Sequence, residues 1–397
     1  MVSVNFVKFL NNLKRVKFLN ISKKSQIVFY DKVPDLYIKK IFKFKKYSCI
    51  YDSNRNINFF IFISIFFKYK TIKIIFSDSL ITAYLCSYIS FLKPKIIINT
   101  TDNDLNFYRL KKHFKNIYFI SIQNGSRHII NDLFGNTDLT SQANLGKFSA
   151  DYIFTFNKYI GQLYEKFIYC RTIAVGKLIN NKLNVNLHPL KNNKIIFISQ
   201  FREKTLLNNY YYSHGKKVCT TNKWLEAEQK LFPKLCDYAN KRKLNLYVFG
   251  TGNNMQNIKK EKQYFKKIAN GKNWEYFNPY KFSFKERYLS LRKFELIVSI
   301  WSTLAYELFS RFHKVCFFRQ NIKNLTDRNF GWPLNLPQRN FWYSNLITQE
   351  EVNRVLDNLR LVKKNAWTEK VSLFRGKVMQ YDRDNYKINK IIEDCLK

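Results

Sequence analysis

Hydrophobic positions in this chain gather in short dense runs, separated by longer stretches whose apolar residues recur at helical spacing. In the first half the runs are QIVFYD (26–31), YSCIYD (47–52), IKIIFS (72–77), KIIINT (95–100), IYFISI (117–122), DYIFTFN (151–157) and TIAVG (172–176). Their length and their β-branched and aromatic content predict strands. SLITAYLCSYISFL (79–92) and NDLNFYRLKKHF (103–114) between them predict helices. A second series runs through KIIFISQF (194–201), a helix over 222–242, NLYVFGTG (245–252), WEYF (274–277), ELIVSI (295–300) and VCFF (315–318). Such alternation of strand and helix predicts a parallel α/β architecture.

The two series are separated by LINNKLNVNLHPLKNN (178–193), which is polar, Asn-rich and without sustained periodicity. It reads as a linker. The expected plan is therefore an α/β chain with two Rossmann-like domains facing a cleft. An N-terminal domain spans 1–180, a linker 181–193 and a second domain 194–345, with C-terminal helices over 346–397. At 397 residues, two domains of about 150–200 residues are the natural division.

Composition changes this picture little. Hydrophobic content of 46%, with 37 Phe and 26 Tyr, supports large cores and argues against disorder. The net charge of +41 invites a nucleic-acid reading. However, lysine is spread along the whole chain rather than gathered in a tail, and Lys, Asn, Ile, Phe and Tyr are inflated together, as an AT-rich genome would produce. No RNP, KH or zinc-finger signature appears. Nucleic acid is not expected as partner; an anionic membrane or a phosphorylated substrate suits the charge. The seven cysteines form neither a CxxC pair nor a Cys/His cluster, so reduced thiols in a cytoplasmic protein are expected, with no metal or other cofactor. The N-terminal MVSVNFVKFLNNLKRVKFLN lacks the apolar core of a signal peptide and reads as a basic helix that covers a domain or rests on a membrane face. The longest apolar run, FFIFISIFF (59–67), is about half the length of a spanning helix.

In open α/β sheets ligands bind beyond the carboxyl ends of the strands. In the first domain those loops are TDND, with Asp102, Asn103 and Asp104, and QNGSRH, with Gln123, Asn124, Arg127 and His128. Turn chemistry alone would explain both. As functional loops they offer a general base toward an acceptor hydroxyl, either Asp102 or Asp104, with His128 as the alternative. In the second domain Ser199, Gln200 and Arg202 follow KIIFIS, where Arg202 could pair with a phosphate or be a solvated loop residue. VFGTGNN carries Gly250 and Gly252 but is not GxGxxG, and no P-loop pattern occurs.

The junction VSIWSTLAYELF (298–309) poses the sharpest alternative. Ser302 or Thr303 could simply cap a helix. The same helix start could instead receive a phosphate, with Glu307 one turn in accepting from ribose hydroxyls. Leu304, Leu308 and Phe312 would then pin the helix to the sheet.

Taken in order, TDNDLNFYRLKK (101–112), FISIQNGSR (119–127), IIFISQFRE (195–203), EKQYFKKI (261–268), VSIWSTLAYELFSRFHKVCFF (298–318), FGWP (330–333) and FW (341–342) resemble a bacterial family of surface carbohydrate or O-antigen biosynthesis proteins. The wider plan is similar to nucleotide-sugar glycosyltransferases of the GT-B architecture. The family pattern has an acid before Ser-Thr-Leu and a Gly before Tyr-Glu; here those positions are Trp301 and Ala305. The resemblance implies a metal-independent sugar transferase. Ser302, Thr303 and Glu307 would hold the nucleotide-sugar donor, with Ser199, Gln200, Arg202 and Gly250 beside it. Asp102, Asn103, Gln123, Asn124 and Arg127 would face a glycan or lipid-linked glycan acceptor, at the inner face of the cytoplasmic membrane. Related enzymes that transfer ulosonic acids make a CMP-activated donor compatible. The alternatives are an alditol-phosphate transferase of wall polymer synthesis and a non-catalytic polyanion-binding protein.

Overall fold

The computed structural model describes residues 17–18, 23–31, 41–42, 46–50, 56–183, 192–207, 209–319 and 329–397. The basic N-terminal stretch 1–16 and residues 184–191 of the expected linker lie outside them. The chain divides into two compact units: Met1–Asn124 with Asp138–Lys182 and Asp382–Lys397, and Gly125–Thr137 with Leu183–Tyr381.

The first unit is built on a six-stranded sheet. Its strands are β1 (Ile27–Phe29), β2 (Ser48–Cys49), β3 (Ile96–Asn99), β4 (Tyr118–Ile122), β5 (Ser149–Thr155) and β6 (Tyr169–Ala174), in spatial order β2-β1-β3-β4-β5-β6. Every pairing is parallel. Ile96, Ile97 and Ile98 on β3 are fully buried because a central parallel strand is covered on both faces. One face packs Ile27, Phe29, Ile96, Ile98, Ile120 and Phe154 against Ile388 and Ile392 of the C-terminal helix Tyr386–Leu396. The one-turn spacing of those two isoleucines is what lets the last helix of the chain close the core of the first unit.

Between β2 and β3 lie helices α1 (Phe59–Ser64), α2 (Tyr69–Ser77) and α3 (Leu80–Leu92). The run 72–77, expected as a strand, is the end of α2. Thr71 and Ile74 are its buried positions, one helical turn apart, whereas a strand would bury alternate residues. The helices α4 (Leu105–Leu110) and α5 (Lys158–Phe167) follow β3 and β5.

The second unit repeats the theme with β7 (Lys194–Ile198), β8 (Asn245–Phe249), β9 (Glu275–Phe277), β10 (Leu296–Ser299), β11 (Val315–Phe318) and β12 (Tyr343–Ser344). Their spatial order is β9-β8-β7-β10-β11-β12, all parallel. In sequence terms this is 3-2-1-4-5-6, the doubly wound Rossmann order. The helices that matter below are α6 (Glu226–Lys241), α7 (Met255–Ala269) and α8 (Thr303–Ser310). A small antiparallel hairpin, Tyr210–Ser213 with Lys216–Thr220, interrupts the segment between β7 and α6 and left no mark that sequence reading detected. The α/β class and the two Rossmann-like units expected from the sequence are both present. No described helix is long and apolar enough to cross a membrane.

Candidate functional site

In the second unit strand order reverses between β7 and β10, so the loops leaving these neighbours diverge to opposite faces and open a crevice at the carboxyl edge. The β7 loop is Ser199–Arg202 and the β10 loop is Ile300–Ser302. The structure thus brings the two donor-side loops inferred from the sequence to one edge of one sheet.

Buried carboxylates hold these loops in place. Glu261, on α7, is fully buried and accepts the Ser199 hydroxyl at 2.6 Å, the Tyr276 hydroxyl at 2.6 Å, and the backbone amides of Thr251 at 3.0 Å and Gly252 at 2.9 Å. One side chain therefore ties the ends of β7, β8 and β9. Gly250 is required by the same cluster: a Cβ there would lie 1.9 Å from the Tyr276 hydroxyl oxygen. Burial foremost, then the Glu261 carboxylate, pushes the Tyr276 phenol well above its ordinary range. Glu228, on α6, is equally buried and accepts the Gln200 amide at 2.8 Å. Burial pushes its carboxyl up to about 8 against the opposing pull of that amide.

Neither glutamate was singled out from the sequence, though a signal existed. Glu261 falls in register with Tyr264, Phe265 and Ala269, and Glu228 with Leu231, Phe232 and Leu235; each acid sits on the apolar stripe of its helix.

Next to these ties lies a cavity of about 400 Å³ lined by Phe201, Arg202, Glu203, Lys204, Leu207, Thr251, Gly252 and Asn257. Arg202 is exposed on its wall, with its Nη1 donating to the Phe201 carbonyl at 3.2 Å. Ser199 through its hydroxyl and Gln200 through its backbone amide are tied to the buried glutamates, and Ser199 Oγ also accepts the Phe201 amide at 3.1 Å.

At the β10 loop, Ser302 occupies the N-cap position of α8, but its side chain makes no capping hydrogen bond. Its own amide donates to Ser299 Oγ at 3.1 Å. The Ala305 and Tyr306 amides close onto the Ser302 carbonyl at 3.0 and 3.3 Å, so the Thr303 and Leu304 amides belong to the unused first-turn set. Thr303 Oγ1 lies 3.3 Å from Ser126 Oγ, whose loop folds with this second unit. Glu307 is buried one turn along α8. The helix is held by Ala305, Leu308 and Phe309 rather than by Leu304, Leu308 and Phe312. It ends at Ser310, and Phe312 lies beyond it with φ 65°. Trp301, unexplained by the sequence, faces the Arg319 guanidinium 5.6 Å from its ring centroid.

In the first unit the order reverses between β1 and β3, and Asp102 follows β3. Asp102 is fully buried; its carboxylate accepts the Tyr164 hydroxyl and, at 2.9 Å, the Asn124 amide. Its carbonyl accepts the Tyr108 hydroxyl at 2.7 Å. Asp102 thereby fastens the β3 and β4 loops to each other and to α5. Asp104 is half-buried and caps α4 through the Asn106 amide at 2.9 Å, and Asn103 is exposed between them. Gln123 is buried, with Oε1 accepting the Phe156 amide at 2.7 Å. Asn124 is exposed and donates through Nδ2 to the Thr100 carbonyl at 2.9 Å. Arg127 and His128 fold with the second unit. Arg127 is buried and pairs with Asp132 at 3.4 Å, while the His128 ring lies 6.2 Å from that of Trp332.

A family model described as "putative O-antigen biosynthesis protein" matches residues 120–395, more than half of the chain. No curated relative matches by sequence. Among solved structures the chain is similar to the wall teichoic acid polymerase TagF, at 11% identity over 94% of this chain and 89% of that one, with a TM-score of 0.47. It is also similar to the UDP-GlcNAc 2-epimerase from Neisseria meningitidis bound to UDP-GlcNAc, at 13% identity over 93% and 98%, with a TM-score of 0.46.

Proposed function

Because the chain belongs to this O-antigen biosynthesis family, we propose that it is a glycosyltransferase moving a sugar from a nucleotide-sugar donor to a growing surface polysaccharide or lipid-linked glycan. The observation that carries the reading is the crevice edge of the second unit. There Ser302 stands at the start of α8 without capping it, above a buried Glu307 and beside a loop locked by Glu261. A hydroxyl excused from capping, at a helix start with unused amides, suits a phosphate-bearing ligand.

The donor lies with its phosphate toward the α8 start, where Ser302 and Thr303 hydrogen-bond it and Glu307 accepts from the ribose. Arg202 and Lys204 add positive charge from the cavity wall. As the glycosidic bond to the nucleotide breaks, helix amides and basic side chains stabilise the charge that develops on the leaving phosphate. Asp104, which stays half-exposed where Asp102 is buried, is the base toward an acceptor hydroxyl. Asp102 acts through Asn124 and Tyr164 as a positioning residue.

A lipid-linked acceptor finds support in the first unit. Phe60, Phe67 and Phe76 are 73%, 82% and 87% exposed, and Lys68, Lys70 and Lys73 are exposed among them. The stretch 59–77 contains no acidic residue. Large apolar side chains interleaved with lysines suit the interface of an anionic membrane.

Titration with CMP, UDP, CDP and ADP, followed by calorimetry, tests the donor reading. Micromolar binding of one pyrimidine nucleotide, weakened tenfold or more in Glu307→Gln, is expected. Absence of binding by every nucleotide would sink the proposal.

A further inference from the structure

Arg319 follows directly on β11, at the carboxyl edge next to β10. It is only 3% exposed, yet among the described residues Nε and Nη1 have no hydrogen-bond partner. Its contacts are the Tyr306 hydroxyl, 3.2 Å from Nη2, and the Trp301 ring face, 5.6 Å from Cζ. Its own amide is held by the Ser344 carbonyl at 2.9 Å, which fixes where the side chain departs.

A guanidinium remains charged at any physiological pH, and its burial without a counter-ion is strongly unfavourable. Stacking on Trp301 and one bond to a neutral phenol compensate only in part. Both partners belong to the segment that opens α8. Trp301 precedes the N-cap of α8 and Tyr306 is the fourth residue of the helix, so they bracket the first turn whose amides are unused. A buried cation therefore lies against side chains of the same segment, 301–306, in which the helix starts.

We infer that Arg319 and the first turn of α8 together form a binding site for a phosphoryl group. The inference rests on the donor-site reading and adds to it the side chain that supplies the counter-charge. A phosphoryl group has enough oxygens to accept from the guanidinium and from the Thr303 and Leu304 amides at once. Trp301 then serves as the platform that keeps the guanidinium plane in place when the site is empty.

The test compares wild type, Arg319→Met and Arg319→Lys by thermal unfolding in inorganic phosphate, pyrophosphate, the pyrimidine nucleotides and the matching nucleosides. Wild type should show a saturable rise in Tm with pyrophosphate and with one nucleotide, and none with nucleoside. Arg319→Met, which keeps the apolar stem and removes the uncompensated charge, should unfold at the same temperature or higher without ligand. Its apparent Kd for pyrophosphate should weaken at least tenfold. Arg319→Lys retains charge and should fall between the two. A methionine variant that unfolds several degrees lower and binds pyrophosphate as wild type does would make Arg319 a packing element and overturn the inference, as would wild type insensitive to every phosphate-bearing probe. Should the methionine variant fail to fold, unaltered pyrophosphate affinity in Arg319→Lys overturns it, and weakened affinity at unchanged Tm supports it. Nucleotide binding indifferent to Arg319 would leave the donor reading intact and remove this one. Pyrophosphate binding that depends on Arg319, with no nucleotide bound, would do the reverse.

Discussion

The Ser199 hydroxyl donates to the Glu261 carboxylate across 2.6 Å, joining the end of β7 to a helix that starts after β8. Through that contact and the amides of Thr251 and Gly252, one buried glutamate sets the shape of the crevice edge at which the donor is proposed to bind.

Glu261→Ala should destabilise the second unit by about 3 kcal/mol or more, because it strands several buried donors at once. Urea unfolding measures it. A loss below about 1 kcal/mol would mean that water readily replaces the carboxylate.

Glu228 makes stability depend on pH. The folded protein holds this proton more tightly than the unfolded chain, whose carboxyl titrates near its ordinary value. Stability from this group is therefore fully present below about pH 4.5 and is lost as pH rises toward about 8. Glu228→Gln keeps an acceptor for the Gln200 amide and removes the titration. Between pH 5 and pH 8 the wild type should lose stability relative to this variant, read by urea midpoints at both pH values. Parallel profiles would show that the carboxyl is not held neutral.

Ser302→Ala should cost well under the ~1 kcal/mol usual for a lost cap, since no capping bond exists to lose. Nucleotide affinity should fall by about threefold to tenfold, the worth of one hydrogen bond. A stability loss near 2 kcal/mol with affinity unchanged would return Ser302 to an ordinary cap.

Replacing Phe60, Phe67 and Phe76 together by serine should abolish sedimentation with vesicles containing anionic lipid while leaving nucleotide binding intact. Their exposure means that folding should be spared. Wild-type protein that ignores such vesicles would remove the membrane role.

Asp104→Asn should depress transfer by a hundredfold or more at unchanged Tm. Asp102→Asn should lower Tm, because its carboxylate is a buried acceptor for Tyr164 and Asn124. Full transfer by Asp104→Asn would move the base elsewhere.

The strands at the centre of each sheet were legible because buried parallel strands such as Ile96–Asn99 and Leu296–Ser299 are continuous apolar runs. The run 72–77 misled for the same reason: a short apolar segment has no periodicity to separate strand from helix. The crossing of the C-terminal helix into the first unit was not legible, because Ile388 and Ile392 announce an apolar face without naming its partner. At the site, the hydroxyls and carboxylates in strand-end loops could be picked out by type. Which of them are consumed by the fold could not. Gln123 and Asp102 look like ligand-facing residues in sequence, and in space each is buried and accepts from a backbone amide. Arg319 was not legible at all, because its meaning lies in nitrogens that are buried without a partner among the described residues, and only three dimensions show that.

The central claim is sugar transfer from a nucleotide donor bound at the α8 start. It is tested most directly by incubating purified protein with membranes as acceptor source and a panel of radiolabelled CMP-, UDP- and CDP-linked sugars and alditols. Label from one nucleotide sugar should pass into the lipid-extractable or polymer fraction with stoichiometric nucleotide release, and Glu307→Gln should abolish both. Transfer from a CDP-alditol alone, or no release from any donor, would contradict it.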